Sequence, residues 1–393
     1  MFDTLKPAAP DGILALMALY RDDPRTGKLD LGVGVYKDES GRTPVMRAVR
    51  EAEARLHETQ ATKTYLGLAG DVAFNEAMIG LVFGDAADRS RLRAAQTPGG
   101  TGALRLLADL IKLARPDATV WVPDPTWPNH MPILRAAGLK AEVYPYFDSA
   151  TAGVRFDAMI AALSAAPTGD VVLLHGCCHN PTGADLSIEQ WATIADLLVE
   201  RGLTPFVDIA YQGFGLGLDE DAAGIRLLAS RVPELLAAAS CSKNFSVYRD
   251  RAGAAILLGS NATEADTAYG QLLGVGRGIW SMPPDHAAAA VRIVLQDEAL
   301  RVDWKAELEA VRQRMLRLRE GFAEALRRQS NSDRFDFIAH QRGMFSRLGI
   351  SQEQVARLRS EHGIYIVGDG RFNVAGLPDI GLDDLAAKIV SVL

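Results

Sequence analysis

The stretch "VVLLHGCCHNPTGADLSIEQWATIADLLVERGLTPFVDIA", residues 171–210, decides the fold. It starts and ends with short apolar runs, "VVLLH" (171–175) and "TPFVDIA" (204–210), which have the length and composition of fully buried strands. The intervening "SIEQWATIADLLVERG" carries the i, i+3, i+4 apolar spacing of a helix that packs on a sheet. The stretch therefore predicts strand, helix and strand, the unit from which helix-covered parallel sheets are built.

The same alternation continues on both sides of this stretch. The runs "TVWVP" (119–123) and "AAILLGS" (254–260) predict further buried strands, while "MPILRAAGL" (131–139) and "AGIRLLASRVPELLAAA" (223–239) have helical spacing. We therefore expect an α/β fold with a mostly parallel sheet covered by helices.

The pattern of apolar and charged residues changes after about residue 290. Residues 303–329 predict one long, charge-laced amphipathic helix, and the chain finishes with a short helix in "LDDLAAKIVSVL". We expect a large α/β domain over residues 46–310. Residues 1–45 would form an amino-terminal arm and part of a small α/β domain, which residues 311–393 would complete.

Composition restricts the class of protein. Of 393 residues, 48% are hydrophobic and 23% charged, as is ordinary for a soluble globular protein, and the formal net charge is -7. An acidic chain without a Lys/Arg-rich patch argues against a nucleic-acid partner. The start "MFDTLKPAAPDG" lacks a cationic signal segment, and "ILALMALY" (13–20) is too short to span a bilayer. We therefore expect a cytoplasmic protein without a membrane partner.

The three cysteines predict neither a disulfide framework nor a structural metal site. Cys177, Cys178 and Cys241 form an odd set without CxxC spacing. The sequence "CCH" at 177–179 resembles a metal-binding motif, but consecutive ligands rarely close a tetrahedral site. We expect no metal.

In open parallel sheets ligands bind beyond the carboxyl ends of the strands, so the polar residues that follow each apolar run are candidates. "PGGTG" places Gly100 and Thr101 at a helix start, where backbone N–H groups can bind an anion, although such glycines also serve as simple turns. "TWPNH" offers Trp127 and His130. The indole could stack on a planar ring or pack within the loop.

Two further loops carry polar side chains. Asn180 follows "VVLLH" and could hydrogen-bond a phenolic oxygen, although Asn-Pro also favours turns. Asp208 lies inside an otherwise apolar strand, where an ionised carboxylate needs a cation or a strong donor. A structural ion pair with an arginine would satisfy it equally well.

The segment "SKNFSVYRDR" (242–251) places a lysine and two arginines where an apolar run ends. Burial and a cationic neighbour such as Arg251 would lower the pKa of Lys243 and make its amine a nucleophile. Arg251 and the hydroxyls of Ser240 and Ser242 suit a phosphate monoester. A bound dianion would explain why the cations lie together.

Together these loops offer an amine, an anion cradle, a buried carboxylate, a stacking ring and a partner for a phenol. Pyridoxal 5'-phosphate uses all five. Its aldehyde forms a Schiff base with a lysine, and a carboxylate keeps its pyridine nitrogen protonated so that the ring accepts electrons. We therefore predict this cofactor, linked as an imine to Lys243.

These residues lie in motifs that resemble the class I aminotransferases of the aspartate and aromatic amino acid type. The resemblance runs in order from about residue 12 to the carboxyl terminus, and it rests on "LGVGVYKDESGRTPV", "TYLGLAG", "TWPNH", "CCHNPTG", "DIAYQGF", "SKNFSVYRDRAG", "RGIWSMPP" and "GRFNVAGL". It implies fold type I of the pyridoxal-phosphate enzymes, with a seven-stranded, mostly parallel sheet in the large domain.

The resemblance also implies roles for individual residues. Lys243 would form the Schiff base and shuttle a proton, Asp208 would pair with the pyridine nitrogen, and Tyr211 with Asn180 would hold the phenolic oxygen. Trp127 would stack on the ring. His130 would support Asp208. The phosphate contacts would come from Gly100, Thr101, Ser240, Ser242, Arg251 and, from a second subunit, Tyr65.

For the substrate, the resemblance implies that Arg371 grips the α-carboxylate as a bidentate fork, helped by Gly34 and Asn180, with Trp127 against the substrate. Arg277 of the neighbouring subunit would meet a distal carboxylate. Such shared sites imply a homodimer.

Departures from the family pattern bear on specificity. Relatives specialised for aspartate carry "KNYLG" and "NYSNPP" where this chain has "KTYLG" and "IWSMPP". Thr64, Trp280 and Met282 would make the surroundings of Arg277 less polar, which favours aromatic side chains. We expect amino transfer from tyrosine, phenylalanine and tryptophan, and from dicarboxylic amino acids, to 2-oxoglutarate by ping-pong kinetics. The alternative is an aspartate-preferring enzyme, because Arg277 is retained.

Two other functions are compatible with parts of the pattern. A lyase or decarboxylase could use the same lysine, aspartate and phosphate cradle, but the pair Arg371 and Arg277 favours transamination between amino and oxo acids. A cofactor-binding regulator is disfavoured by the acidic charge and by the lack of a helix-turn-helix segment.

Overall fold

The computed structural model describes residues 1–7 and 12–393, so residues 8–11 of the predicted amino-terminal arm lie outside the described residues. The chain divides into two compact units. The small unit comprises Met1–Arg42 and Met315–Leu393, and the large unit comprises Thr43–Arg314. The small unit is thus assembled from both ends of the chain.

Thirteen strands occur in the described residues. They are β1 (Leu29–Asp30), β2 (Leu92–Pro98), β3 (Thr119–Asp124), β4 (Lys140–Pro145), β5 (Phe147–Asp148), β6 (Gly153–Val154), β7 (Val171–His175), β8 (Thr204–Ile209), β9 (Leu235–Ser240), β10 (Ala252–Leu258), β11 (Phe345–Arg347), β12 (Ile364–Tyr365) and β13 (Arg371–Asn373).

Fourteen α-helices accompany them in the same residues. They are α1 (Gly12–Asp22), α2 (Arg47–Thr59), α3 (Val72–Phe83), α4 (Gly99–Ala114), α5 (His130–Ala136), α6 (Phe156–Ser164), α7 (Ile188–Arg201), α8 (Ala223–Arg231), α9 (Ala262–Ile279), α10 (His286–Gln296), α11 (Glu298–Ser330), α12 (Phe337–His340), α13 (Gln352–His362) and α14 (Leu382–Val390). No helix in the described part of the chain is both long enough and apolar enough to cross a bilayer.

The large unit is built on one seven-stranded sheet with the strand order β2-β10-β9-β8-β7-β3-β4. The strands from β9 to β4 pair in parallel, whereas β10 is antiparallel to both β9 and β2. The expected α/β fold with a mostly parallel, seven-stranded sheet is confirmed. The chain reverses its direction of travel across the sheet between β3 and β7, and ligands bind at such switch points.

The central strands have no polar face because helices cover the sheet. Every residue of β10 is buried, as are four of the five residues of β7. Helix α7, between β7 and β8, begins with a capping box formed by Ser187 and Gln190 and ends at Gly202 in the left-handed conformation (φ 64°). These signals explain why the stretch 171–210 folds as the sequence predicts.

One predicted helix is wrong in its second half. Residues 223–239 do not continue as a helix, because α8 ends at Arg231 and β9 begins at Leu235. Pro233 lacks an N–H group and forces the preceding residue towards an extended conformation, which Val232 adopts (φ -84°, ψ 149°). The apolar run that follows becomes a central strand between β8 and β10.

The small unit has its own core. In it β1 pairs in parallel with β12, and β11 pairs antiparallel with β13. Phe322, Phe372 and Ile389 are among the buried residues of this core, which the carboxyl-terminal part of α11 helps to form. The predicted long helix over 303–329 is observed as α11, and the boundary between the two units falls within it.

Gly253 of β10 lies where three pieces of backbone meet. A Cβ atom at this position would lie 2.6 Å from the carbonyl carbon of Gly99 and 2.7 Å from the carbonyl oxygen of Ala239. Since backbone cannot move aside as a side chain can, we expect Gly253→Ala to lower the free energy of unfolding by about 2 kcal/mol in urea denaturation. The matched control is Gly80→Ala in α3, where no heavy atom lies within 4 Å. It should raise stability by about 0.5 kcal/mol, and equal effects of the two changes would contradict this account.

Candidate active site

The predicted site loops converge on one cavity in the large unit, at the edge of the sheet where the parallel strands end. Of the twelve residues expected to hold a cofactor, ten line this cavity: Gly100, Thr101, Trp127, Asn180, Asp208, Tyr211, Ser240, Ser242, Lys243 and Arg251. His130 lies behind Asp208, and Tyr65 is not among the lining residues.

Lys243 follows β9 directly and reaches into the cavity. Its Nζ atom lies 4.9 Å from the centre of the Tyr211 ring. Burial lowers the pKa of Lys243 from 10.5 to about 8. Asp208 opposes this shift, and the positive charge of Arg251 adds to it. An amine with such a pKa is partly unprotonated near neutral pH and can act as a nucleophile or a proton acceptor.

Asp208 is a buried carboxylate near the carboxyl end of β8. His130 Nε2 lies 2.9 Å from Asp208 Oδ2. Burial acts to raise the pKa of Asp208, but the hydrogen bond with His130 and the charges of His130 and Lys243 outweigh it, and the net shift is downward. Asp208 therefore stays ionised, and the carboxylate can face a cation.

Two residues that the sequence analysis did not select extend this pair. Thr126 Oγ1 lies 2.7 Å from His130 Nδ1 and 3.1 Å from His175 Nε2. Burial, followed by the charge of His130, lowers the pKa of His175 to about 3, so His175 is neutral. The hydrogen bonds from His175 through Thr126 to His130 and Asp208 form one connected chain, in which the histidine tautomers set which atom donates. The signal that could have identified His175 is strand register, because it lies opposite Asp208 on β7.

A second group of residues in the cavity forms an anion cradle. Helix α4 begins at Gly99 (φ 71°), and Gly100 and Thr101 present its first turn to the cavity. A Cβ atom at Gly99 would lie 2.5 Å from a guanidinium nitrogen of Arg251, so glycine leaves room for that side chain. Arg251 donates to Ser242 Oγ (3.2 Å) and to the carbonyl of Tyr248 (2.9 Å), which aims its guanidinium.

Polar and aromatic groups form the side walls of the cavity. Asn180 Nδ2 lies 3.4 Å from the hydroxyl of Tyr211, so both could hydrogen-bond one oxygen atom between them. The Trp127 ring meets His130 edge-on, with ring centroids 5.2 Å apart. Trp127 also lines the cavity, where its ring is available for stacking.

Among the described residues, one group of possible metal ligands has its ligand atoms within 4.8 Å of one another: Cys177, Cys178 and Asp221. The Asp221 carboxylate already accepts from the backbone N–H groups of Gly213 and Gly215. All three cysteines are free and buried, and burial raises the pKa of the Cys178 thiol well above its usual value.

The remaining predicted residues lie elsewhere. In the small unit, Arg371 lies on β13 with its guanidinium carbon 4.7 Å from the centre of the Phe345 ring, and Gly34 packs against the same ring. In the large unit, Tyr65 has a side chain that is 89% exposed, and Arg277 lies exposed in the last turn of α9. The structure brings neither Tyr65 nor Arg277 to the cavity of its own chain.

The depressed pKa of Lys243 makes a testable contribution to stability. Below pH 8 the amine is charged in both the folded and the unfolded chain, and burying that charge costs free energy. As the pH rises from 8 to 10.5, the folded chain releases its proton first and the cost disappears. In protein freed of small molecules, we expect Lys243→Met to be more stable than the wild type by about 2 kcal/mol at pH 7, with the difference vanishing near pH 10.5. Urea unfolding across this range measures it, and a difference independent of pH would contradict it.

Comparisons with known proteins identify the family of this chain. Residues 26–389 match the family model described as aminotransferase class I and II. The aromatic-amino-acid aminotransferase of Paracoccus denitrificans is 55% identical over 392 residues and the aspartate aminotransferase of Escherichia coli (strain K12) is 46% identical over 396, with 100% of both chains covered in each case. A crystal structure of the aromatic-amino-acid aminotransferase of Burkholderia pseudomallei, covalently bound to pyridoxal phosphate, superposes with a TM-score of 0.97 at 42% identity and covers 100% of this chain and 99% of that one. The chain therefore belongs to the class I and II aminotransferases.

Proposed function

We propose that this aminotransferase uses pyridoxal 5'-phosphate, held as an imine on Lys243, to move amino groups from aromatic and dicarboxylic amino acids to 2-oxoglutarate. One observation carries the proposal: an amine of lowered pKa, an ionised carboxylate and an anion cradle all line a single cavity. The cavity provides a partner of suitable charge for each functional group of the cofactor.

The fit can be followed group by group. The first turn of α4 with Ser240, Ser242 and Arg251 suits a phosphate dianion, because it combines helix N–H groups, hydroxyls and a cation. Asn180 and Tyr211 suit a phenolic oxygen. The ring would lie on Trp127.

Asp208 suits a protonated pyridine nitrogen. Its carboxylate stays charged although it is buried, because His130 is hydrogen-bonded to it. A charge fixed at this point favours a protonated ring.

When bound, pyridoxal phosphate supplies an aldehyde that exchanges Lys243 for a substrate amine and a ring that accepts the electron pair released at the α-carbon. The remaining work belongs to the protein. Lys243 Nζ, once displaced, is partly unprotonated near pH 8 and can take the proton from the α-carbon and return it to the C4' carbon of the cofactor. Arg371 would hold the α-carboxylate while the proton moves. The second substrate would run the same steps backwards at the same residues.

The preference for aromatic donors rests on residues near Arg277. Met282 replaces a polar residue of aspartate-specialised relatives, and its sulfur accepts a hydrogen bond from the backbone of Leu66 (3.1 Å). Trp280 packs against the apolar core next to α9, and Thr64 is exposed. These residues present a less polar surface to a distal side chain. The relative at 55% identity is an aromatic-amino-acid aminotransferase, which supports the same preference for aromatic donors.

Aspartate preference is the second candidate. Arg277 is retained, and the Escherichia coli relative at 46% identity is an aspartate aminotransferase. A flexible arginine side chain can serve both classes of donor if it binds the distal carboxylate of a dicarboxylic amino acid and moves away when the donor carries an aromatic ring.

Residues of a second copy would complete each site. Tyr65, Leu66 and Ile279 expose 89%, 50% and 45% of their surfaces in the single chain, more apolar surface than a monomer needs at this point. We propose a homodimer in which Tyr65 contacts the phosphate and Arg277 the distal carboxylate of the neighbouring site. A cytoplasmic location is part of the proposal, supported by the acidic composition and the free thiols.

The cofactor linkage and the reaction can be tested together. Phenylalanine should convert the yellow protein to a pyridoxamine spectrum, and 2-oxoglutarate should restore the first band. Borohydride reduction should fix the cofactor on the peptide that contains Lys243. We expect Lys243→Ala to lose this label and about 10⁴-fold in turnover, because it lacks the proton-transferring amine. Accumulation of ammonia or carbon dioxide would show a lyase or a decarboxylase instead.

Arg277 provides a test of substrate range. We expect Arg277→Ala to lower kcat/KM for aspartate by about 100-fold, the loss of one charge-assisted pair, and to change kcat/KM for phenylalanine little. Arg115→Ala is a matched control, since Arg115 lies beside the amino ends of β7 and β8, at the edge of the sheet opposite the cavity. If the loss of Arg277 reduced activity on tyrosine and aspartate equally, its assigned role would be wrong.

A further inference from the structure

The small unit contains a buried cation that the functions proposed so far do not use. Arg319 lies on α11 and is only 1% exposed. A guanidinium is kept in a protein interior only when its donors are satisfied, because burying an unpaired charge is costly. The acceptors that bind the Arg319 guanidinium therefore indicate the role of this side chain.

Those groups lie in one short segment. Arg319 Nη2 donates to the carbonyls of Gly343 (2.7 Å), Phe345 (2.8 Å) and Arg342 (3.2 Å). Its Nη1 donates to Ser346 Oγ (2.7 Å) and to the carbonyl of Ile338 (3.0 Å). The two Nη groups lie in one rigid plane and meet five acceptors that converge from residues 338–346. Arg319 therefore fixes the backbone that leads into β11.

Strand β11 in turn positions Arg371. Phe345 pairs with Asn373 and Arg347 with Arg371 in the antiparallel ladder of β11 and β13. The Phe345 ring lies beneath the guanidinium of Arg371, whose central carbon is 4.7 Å from the ring centroid. A cation over an aromatic face gains stability only at short range, so a shift of the ring would weaken this contact and change the alignment of the guanidinium.

The Cζ edge of the same ring is also confined. A Cβ atom at Gly34 would lie 2.9 Å from Phe345 Cζ, so only glycine lets the backbone approach this closely. Asn373 Nδ2 donates to the carbonyls of Val33 and Val35 (2.7 Å each), which holds the Gly34 segment against the ring. The ring thus contacts two of the residues proposed for substrate binding.

We propose that Arg319 is a positioning residue for carboxylate recognition: by fixing residues 338–346 it holds the Phe345 ring, on which the Arg371 guanidinium is aligned. The inference rests on the proposed role of Arg371 in binding the substrate α-carboxylate. It assigns a functional role to a side chain that does not itself touch the substrate.

The test is carboxylate binding to the holoenzyme, measured by calorimetric titration with 3-phenylpropanoate, which has the carboxylate and the ring of phenylalanine but no amino group. Arg319→Met and Phe345→Leu should each raise the Kd about 10-fold, because a charge-assisted contact loses its alignment. Arg319→Lys keeps a charge with fewer donors and should raise the Kd less. In turnover of phenylalanine, KM should rise while kcat is largely kept.

Ile389→Ala is the matched control for stability. Ile389 is buried in the same core, so its truncation lowers the melting temperature, but it should leave the Kd unchanged. If Arg319→Met lowers the melting temperature and leaves the Kd unchanged, Arg319 only stabilises the fold and the inference is wrong. Should Arg319→Met not fold, an unchanged Kd in both Arg319→Lys and Phe345→Leu overturns it.

Arg371→Ala separates this inference from the proposed function. If Arg371→Ala raises the Kd and the Arg319 and Phe345 variants do not, the inference fails and the proposed site stands. If Arg371→Ala leaves the Kd unchanged, the proposed carboxylate site itself is wrong, and the inference fails with it.

Discussion

The hydrogen bond between His130 and Asp208 is the interaction on which the rest of the site depends. It allows a carboxylate to remain ionised near the end of a strand that is otherwise fully apolar. Without that donor, burial would favour the protonated acid, and the cavity would lose its negative charge. Thr126 is hydrogen-bonded to both His130 and His175, so these residues hold His130 in place beside Asp208. The negative charge of Asp208 can then face a cation in the cavity.

The cavity is lined by charged groups of opposite sign. Asp208, the Arg251 cradle and Lys243 all line the same cavity. Burial and Arg251 lower the pKa of the amine, whereas Asp208 raises it, and the balance lies near pH 8. A lysine in bulk water would be almost fully protonated at that pH. The fold thus supplies a reactive amine by the placement of its charges.

Glycine and arginine solve complementary packing problems around these charges. At Gly99 and Gly253 the backbone itself must come close, and any side chain would collide with the guanidinium of Arg251 or with neighbouring backbone. In the small unit a single buried guanidinium gathers the carbonyls of residues 338–346. In both places, other residues hold the backbone, and the backbone in turn fixes the position of a charged side chain.

The sequence by itself determined the alternation of strands and helices, ten of the residues that line the cavity and the family, because these follow from local patterns of apolar residues and from short motifs. It did not determine that residues 235–240 form a strand, since the apolar run "LLAAAS" could equally belong to a helix. Pairing with the neighbouring strands β8 and β10 decides that this run is a strand. Nor did it identify His175, Thr126 or Arg319. The partners of these side chains are distant in sequence or lie across the sheet, and only the folded chain brings them within hydrogen-bonding distance.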